Sequence, residues 1–182
     1  RLRDLLPLED SKEFDDLVDA IDHFVKTGLV DRARVGVTGG SYGGFATAWC
    51  STKLTDHFAA GVMFVGISDM IAKSGTTDIP TEERMVHALK WPWENWDDHR
   101  ARSPVTYAPQ ARTPLLIMHG KDDPRVHPSQ SLILYRYLKN IGKVPVRLIW
   151  YPGEGHGNRR VASQYDYCLR MTQWMQHYLN PE

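Results

Sequence analysis

Cysteine is almost absent from this sequence: Cys50 and Cys168 are the only two among 182 residues. Two thiols make no disulfide framework and lie at no metal-binding spacing, so both are expected to be buried free thiols. Net charge is absent as well. Lys+Arg and Asp+Glu number 22 each, which gives no reason to expect nucleic acid or an anionic membrane surface as a partner. No apolar run approaches the roughly 20 residues that cross a bilayer. The eight histidines fall in no ligand spacing such as H-E-x-x-H, and neither a metal nor an organic cofactor is implied. Internal repeats and low-complexity tracts are missing too. No secretory signal peptide is recognisable. The chain starts at Arg1 rather than an initiator methionine, so it is expected to be a truncated or processed product. The compartment stays open, with the cytoplasm slightly favoured.

What is present is organised around one stretch, Arg34-Val35-Gly36-Val37-Thr38-Gly39-Gly40-Ser41-Tyr42-Gly43-Gly44. Val35 and Val37 begin a strand, glycines crowd about a serine, and Phe45 to Trp49 continue at a helical period. Gly39-x-Ser41-x-Gly43 matches a nucleophile elbow, the sharp strand-to-helix turn that lifts a serine hydroxyl above a sheet edge. The strained serine backbone asks for flanking residues without a Cβ, so that strand and helix can close up. Without its flanks the pattern is a flexible turn; with a strand before and a helix after, it marks a nucleophile.

The rest of the chain alternates. Asp10-Ser11 offers an N-cap to a helix whose apolar stripe is Phe14, Leu17, Ile21, Phe24 and Val25, and Gly28 ends it. After the elbow helix, Ala59 to Ile67 is a continuous apolar run, the mark of a strand covered on both faces. A polar, Trp-rich helical insertion follows at about 68–112, with short helices expected around Thr81–Leu89 and Asn95–Ala101; Trp91, Trp93 and Trp96 are expected to be packing residues. Pro114 to Gly120 and Val144 to Tyr151 are further strands, Pro128 to Leu138 and Arg160 to Leu179 further helices. The composition, 42% hydrophobic and 24% charged, suits one globular domain with a real core over 1–182. The expected class is α/β, a mostly parallel sheet with helices on both faces joined by right-handed crossovers.

In such sheets functional groups gather at the carboxyl ends of the strands. Three of these ends carry reactive side chains: Ser41, the pair Asp122/Asp123, and His156 in Gly153-Glu154-Gly155-His156-Gly157. Taken singly, the histidine fits a solvated loop and the aspartates a turn. Together they supply a nucleophile, a base and an orienting carboxylate. A serine hydroxyl needs a base within hydrogen-bond reach; histidine titrates near working pH; the carboxylate fixes its tautomer. The backbone N–H of Tyr42, next after the serine, is the first candidate oxyanion donor. His119 is taken as a strand-end residue.

Gly39–Gly44, His119-Gly120-Lys121-Asp122-Asp123-Pro124-Arg125-Val126 and Gly153–Gly157 resemble the catalytic domain of the prolyl oligopeptidase family of serine peptidases, in its acylaminoacyl-peptidase and dipeptidyl-peptidase-like branch. The likeness runs from about Asp10 to the C-terminus and implies the α/β-hydrolase fold. It places the catalytic acid on Asp123 rather than Asp122 and has Arg125, with Val126 beside it, reach a substrate carbonyl. It sets Ile67, Met70 and Lys73 near the pocket for the residue preceding the cleaved bond. Aromatic side chains that would stack on a proline are not evident there, so the likeness does not extend to proline specificity. Relatives carry a β-propeller and earlier sheet strands, and an upstream segment gives the second oxyanion donor. The resemblance thus covers only the C-terminal part of that domain and implies a missing upstream segment, or a partner chain, along the elbow-strand edge. The expected activity is serine-peptidase cleavage of short peptides through an acyl-enzyme. A carboxylesterase of the same fold, or a non-catalytic fragment, is the alternative.

Overall fold

The computed structural model describes residues 12–87 and 89–180. The Asp10-Ser11 cap and the N-terminal tail lie outside them. A 3-10 turn (Lys12–Phe14) leads into α1 (Asp15–Lys26), which stops where Gly28 takes φ 74°. The amphipathic stripe of α1 is present, but only Phe14, just ahead of the helix, is buried; Leu17 and Phe24 stay 40% and 46% exposed. A second 3-10 turn (Arg32–Arg34), closed by the Asp31 carboxylate on the N–H of Ala33, precedes β1 (Gly36–Gly40). The strand therefore starts at Gly36, one residue beyond Val35, where the sequence pattern begins it. Arg34 turns away to donate to the Leu179 carbonyl (2.8 Å).

Beyond β1 come α2 (Tyr42–Thr52), β2 (Ala60–Phe64), β3 (Leu115–Gly120), α6 (Ser129–Ile141), β4 (Val146–Tyr151) and α7 (Val161–Leu179). Between β2 and β3 lie α3 (Met70–Thr76), α4 (Pro80–Glu82) running into a π turn (Glu83–His87), and α5 (Trp96–Ala101). The four strands are all parallel in the order β1-β2-β3-β4. Alternation in β3 shows how both faces are covered. Leu115 and Ile117 pack with Ala48 of α2 and Leu134 and Leu138 of α6. Leu116 and Met118 pack with Trp174 of α7 on the other side. Every residue of β3 is buried, as a strand between two helical layers must be.

Three expectations fail on exposure. Cys50 is buried, and burial pushes its thiol up to about 12, but Cys168 is exposed on the outer side of α7. Trp93 and Trp96 are 64% and 50% exposed, so they do not pack the insertion. Trp91 and Trp93 instead stack on each other with centroids 5.0 Å apart. Caps start two of its helices: Asp69 accepts from the N–H groups of Ile71 and Ala72, and Asn95 from that of Asp98, while Gln130 of α6 accepts from the N–H groups of Ser68 and Asp69 and ties the insertion to that helix. Among the described residues no helix is long and apolar enough to cross a membrane.

Candidate active site

Ser41 sits between β1 and α2 with φ 60° and ψ −118°, outside the regions that L-residues populate. Such a conformation costs about 1–3 kcal/mol and persists only where the surroundings impose it. Here the Ser41 N–H donates to the Phe64 carbonyl of β2 (3.0 Å), and its carbonyl accepts from Phe45 N–H (2.9 Å), which starts α2. The glycine requirement is one-sided. A Cβ on Gly39 would lie 2.5 Å from the Gly43 carbonyl oxygen, whereas a Cβ on Gly43 would meet nothing outside its own helix within 4 Å.

The structure brings Ser41, His156 and Asp123 together. His156 Nε2 lies 2.8 Å from Ser41 Oγ, and His156 Nδ1 lies 2.8 Å from Asp123 Oδ2. An ionised carboxylate can only accept, so Nδ1 carries the proton and Nε2 is left bare toward the serine. Asp123 is fully buried at its side chain, while His156 remains 26% exposed. The other carboxylate oxygen accepts from the backbone N–H groups of Arg125 (2.9 Å) and Val126 (3.0 Å). Burial alone would raise the Asp123 pKa. Hydrogen bonds from His119, His156 and the Val126 N–H outweigh it and hold this carboxyl well below the usual range. Asp122 is exposed and contributes only its backbone, through an N–H to the Glu154 carbonyl (2.9 Å).

The remaining sequence candidates divide. Tyr42 opens α2 next to the serine. Ile67, Val126, Arg125 and Lys73 line the same recess as Ser41 and His156. Met70 does not line that recess; it is buried in the aromatic cluster of Phe14, Phe45 and Trp49 beneath it. The Arg125 guanidinium is already engaged, donating through Nε (2.7 Å) and Nη2 (3.4 Å) to Asp78. That hydrogen bond lowers the Asp78 pKa.

Three contributors were not singled out from the sequence. Asp78 is one. Gly120 is another: a Cβ there would lie 2.2 Å from the Gly155 carbonyl oxygen, so the end of β3 must be bare for the His156 loop to cross it. The third is Glu154, whose carboxylate accepts from the N–H groups of Arg159 (2.8 Å) and Arg160 (3.1 Å) and ties the loop to the start of α7. A glycine at a strand end and an acid two residues before a histidine are visible in the chain, but their partners are set by packing.

This arrangement resembles known proteins over nearly the whole chain. It is 35% identical over 176 residues to the uncharacterized peptidase YuxL of Bacillus subtilis (strain 168), covering 92% of this chain and 26% of that protein. With dipeptidyl aminopeptidase BIII of Pseudoxanthomonas mexicana it shares 36% identity over 165 residues, 82% of this chain and 22% of the other. The structure of Pyrococcus horikoshii acylaminoacyl peptidase superposes with a TM-score of 0.83 at 31% identity, over 94% of this chain and 28% of that one. The chain therefore spans about a quarter of the length of these relatives. Its parallel sheet with helices on both faces is the α/β-hydrolase fold. With residues 7–182 matching the model of the prolyl oligopeptidase family, the chain belongs to that family.

Proposed function

We propose that this chain carries the catalytic centre of a serine peptidase that cleaves short peptides through an acyl-enzyme. The observation that carries the reading is the unbroken chain of 2.8 Å contacts from Ser41 Oγ through the His156 ring to Asp123 Oδ2, assembled from three strand ends. Ser41 Oγ attacks the substrate carbonyl as His156 Nε2 takes its proton. The imidazolium is stabilised by Asp123 and returns the proton to the leaving amine. Water then repeats the sequence on the acyl-enzyme. The Tyr42 N–H is one donor to the oxyanion. Peptides of modest size are the proposed substrates, since the similar proteins include an acylaminoacyl peptidase and a dipeptidyl aminopeptidase. Residues 1–182 form part of one catalytic domain, and the β1 edge is covered by a preceding segment or a partner chain.

A fluorophosphonate probe tests the nucleophile, and paired N-acyl-peptide, dipeptidyl and p-nitrophenyl ester substrates test the leaving group. Label on Ser41, lost in Ser41→Ala, with peptide turnover is expected. Asp123→Asn should lower turnover by several orders of magnitude and Asp122→Asn should leave it near wild type. Ester turnover without peptide turnover would make the protein a carboxylesterase, and the reverse ranking of the aspartates would reject the assignment of the acid.

A further inference from the structure

His119, the fifth residue of β3, is completely buried, yet it is flanked by an all-apolar run. A buried imidazole without partners would be costly, so its contacts carry information. Its Nε2 lies 2.8 Å from the Val126 carbonyl oxygen and 3.2 Å from Asp123 Oδ2, the oxygen that His156 also contacts. Both are acceptors, so Nε2 must carry the proton; its hydrogen bond runs to the Val126 carbonyl, with the Asp123 oxygen close beside it at 3.2 Å. Its Nδ1 lies 2.6 Å from the hydroxyl of Ser131, itself fully buried in α6. With Nε2 protonated, a neutral ring leaves Nδ1 bare, and Ser131 O–H donates to it. A cationic ring would instead bury a charge between α6 and the sheet. The neutral Nε2–H form satisfies every partner without that cost.

Oδ1 of Asp123 takes two backbone N–H groups; Oδ2 takes the His156 ring N–H and has the protonated His119 Nε2 3.2 Å away. We infer that His119, held by Ser131, is a positioning residue for the Asp123–His156 pair: it fixes Oδ2 in line with His156 and draws off part of the negative charge that His156 would otherwise see. This rests on the reading of Ser41, His156 and Asp123 as the catalytic centre. Without the His119 donor, more charge on Oδ2 faces His156, the imidazolium is better stabilised, and the ring becomes more basic. His156 must be neutral to activate Ser41, so the acid limb of reactivity moves to higher pH. A residue serving only to fill space would change the plateau and leave the limb in place.

The experiment is the rate of fluorophosphonate inactivation against pH in the native protein, for wild type, His119→Phe and His119→Gln. Phenylalanine keeps the volume and removes the donor; glutamine restores an N–H near the Nε2 position. Other charges near His156 are unaltered by these changes: Lys73, Glu82 and Arg125 on the Ser41 side, and Asp78, Glu154, Arg159 and Arg160 on the other. For His119→Phe the plateau rate should fall about tenfold, the scale of losing one polar contact that holds a charged group in place, and the acid limb should rise by several tenths of a pH unit. His119→Gln should recover most of both. An unmoved or lowered limb in folded His119→Phe overturns the inference while a labelled wild type leaves the nucleophile standing. A wild-type Ser41 that takes no label removes both. Nitrogen-15 spectra of the wild-type histidines decide the matter independently of folding in the variants: a neutral, Nε2-protonated His119 supports the inference. A cationic or Nδ1-protonated ring overturns it.

Discussion

Arg125 shows how one residue can have two partners in view. Its guanidinium has five N–H donors, and Asp78 engages those on Nε and Nη2. Arg125 also lines the recess shared with Ser41 and His156. On the proposal that Arg125 binds a substrate carbonyl, Asp78 holds the fork in one orientation and reduces the side-chain entropy lost on binding. Arg125→Ala is expected to raise KM about tenfold with kcat little changed, the pattern of uniform binding lost. Asp78→Ala should shift KM the same way by a smaller factor, because the donors stay but their orientation loosens. Steady-state kinetics on a short peptide decide this. An unmoved KM in Arg125→Ala would leave the pair as an exposed surface ion pair of little consequence.

At the scale of elements, the site is a junction of strand ends and loops pressed together without side chains between them. The end of β3 and the His156 loop touch at Gly120, under the carbonyls of Glu154 and Gly155. A methyl group at that position must push the loop away, since rigid backbone rather than a flexible side chain stands in its path. His156 rides on the displaced segment. Gly120→Ala should therefore cost about 1–3 kcal/mol of stability, the scale of overpacking. It should also slow Ser41 labelling by more than tenfold, because the 2.8 Å contact of His156 with Ser41 is lost with the loop. Denaturant unfolding and the labelling rate measure the two effects separately. Wild-type values for both would mean that the loop yields without moving the ring.

For the molecule as a whole, the sheet is uneven. β3 is enclosed, whereas β1 pairs only with β2 among the described residues, and Val35 and Val37 beside its open edge are half-buried. The nearby α1 also leaves Leu17 and Phe24 partly in solvent, and Leu29 beyond it is 75% exposed. An open parallel edge with apolar neighbours presents unpaired backbone groups that another strand can join. Covering such surface is worth about 25 cal/mol per Å² of apolar area. The 182-residue chain alone is expected to self-associate rather than behave as a stable monomer. Size-exclusion chromatography with light scattering checks it. A soluble, cooperatively unfolding monomer with protected amides at Val35 and Val37 would rule out the need for a covering segment or partner.

The amino-acid sequence by itself determined the order of strands and helices and the strand ends that carry Ser41, the two aspartates and His156. Those features are local: apolar runs and periods within about a dozen residues set the elements, and glycines beside Ser41 and His156 mark the turns. Resemblance to the prolyl oligopeptidase family, rather than spacing, singled out Asp123. Tertiary structure decided which groups meet. It buried Asp123 and left Asp122 in solvent, gave Arg125 to Asp78, and set His119 against the same carboxylate oxygen as His156. It also put Cys168, Trp93 and Trp96 on the surface, where their composition had suggested the interior. The reason is common to all of these. A helical or strand period tells which residues share a face, but whether that face meets solvent or another element depends on chain segments far away in sequence.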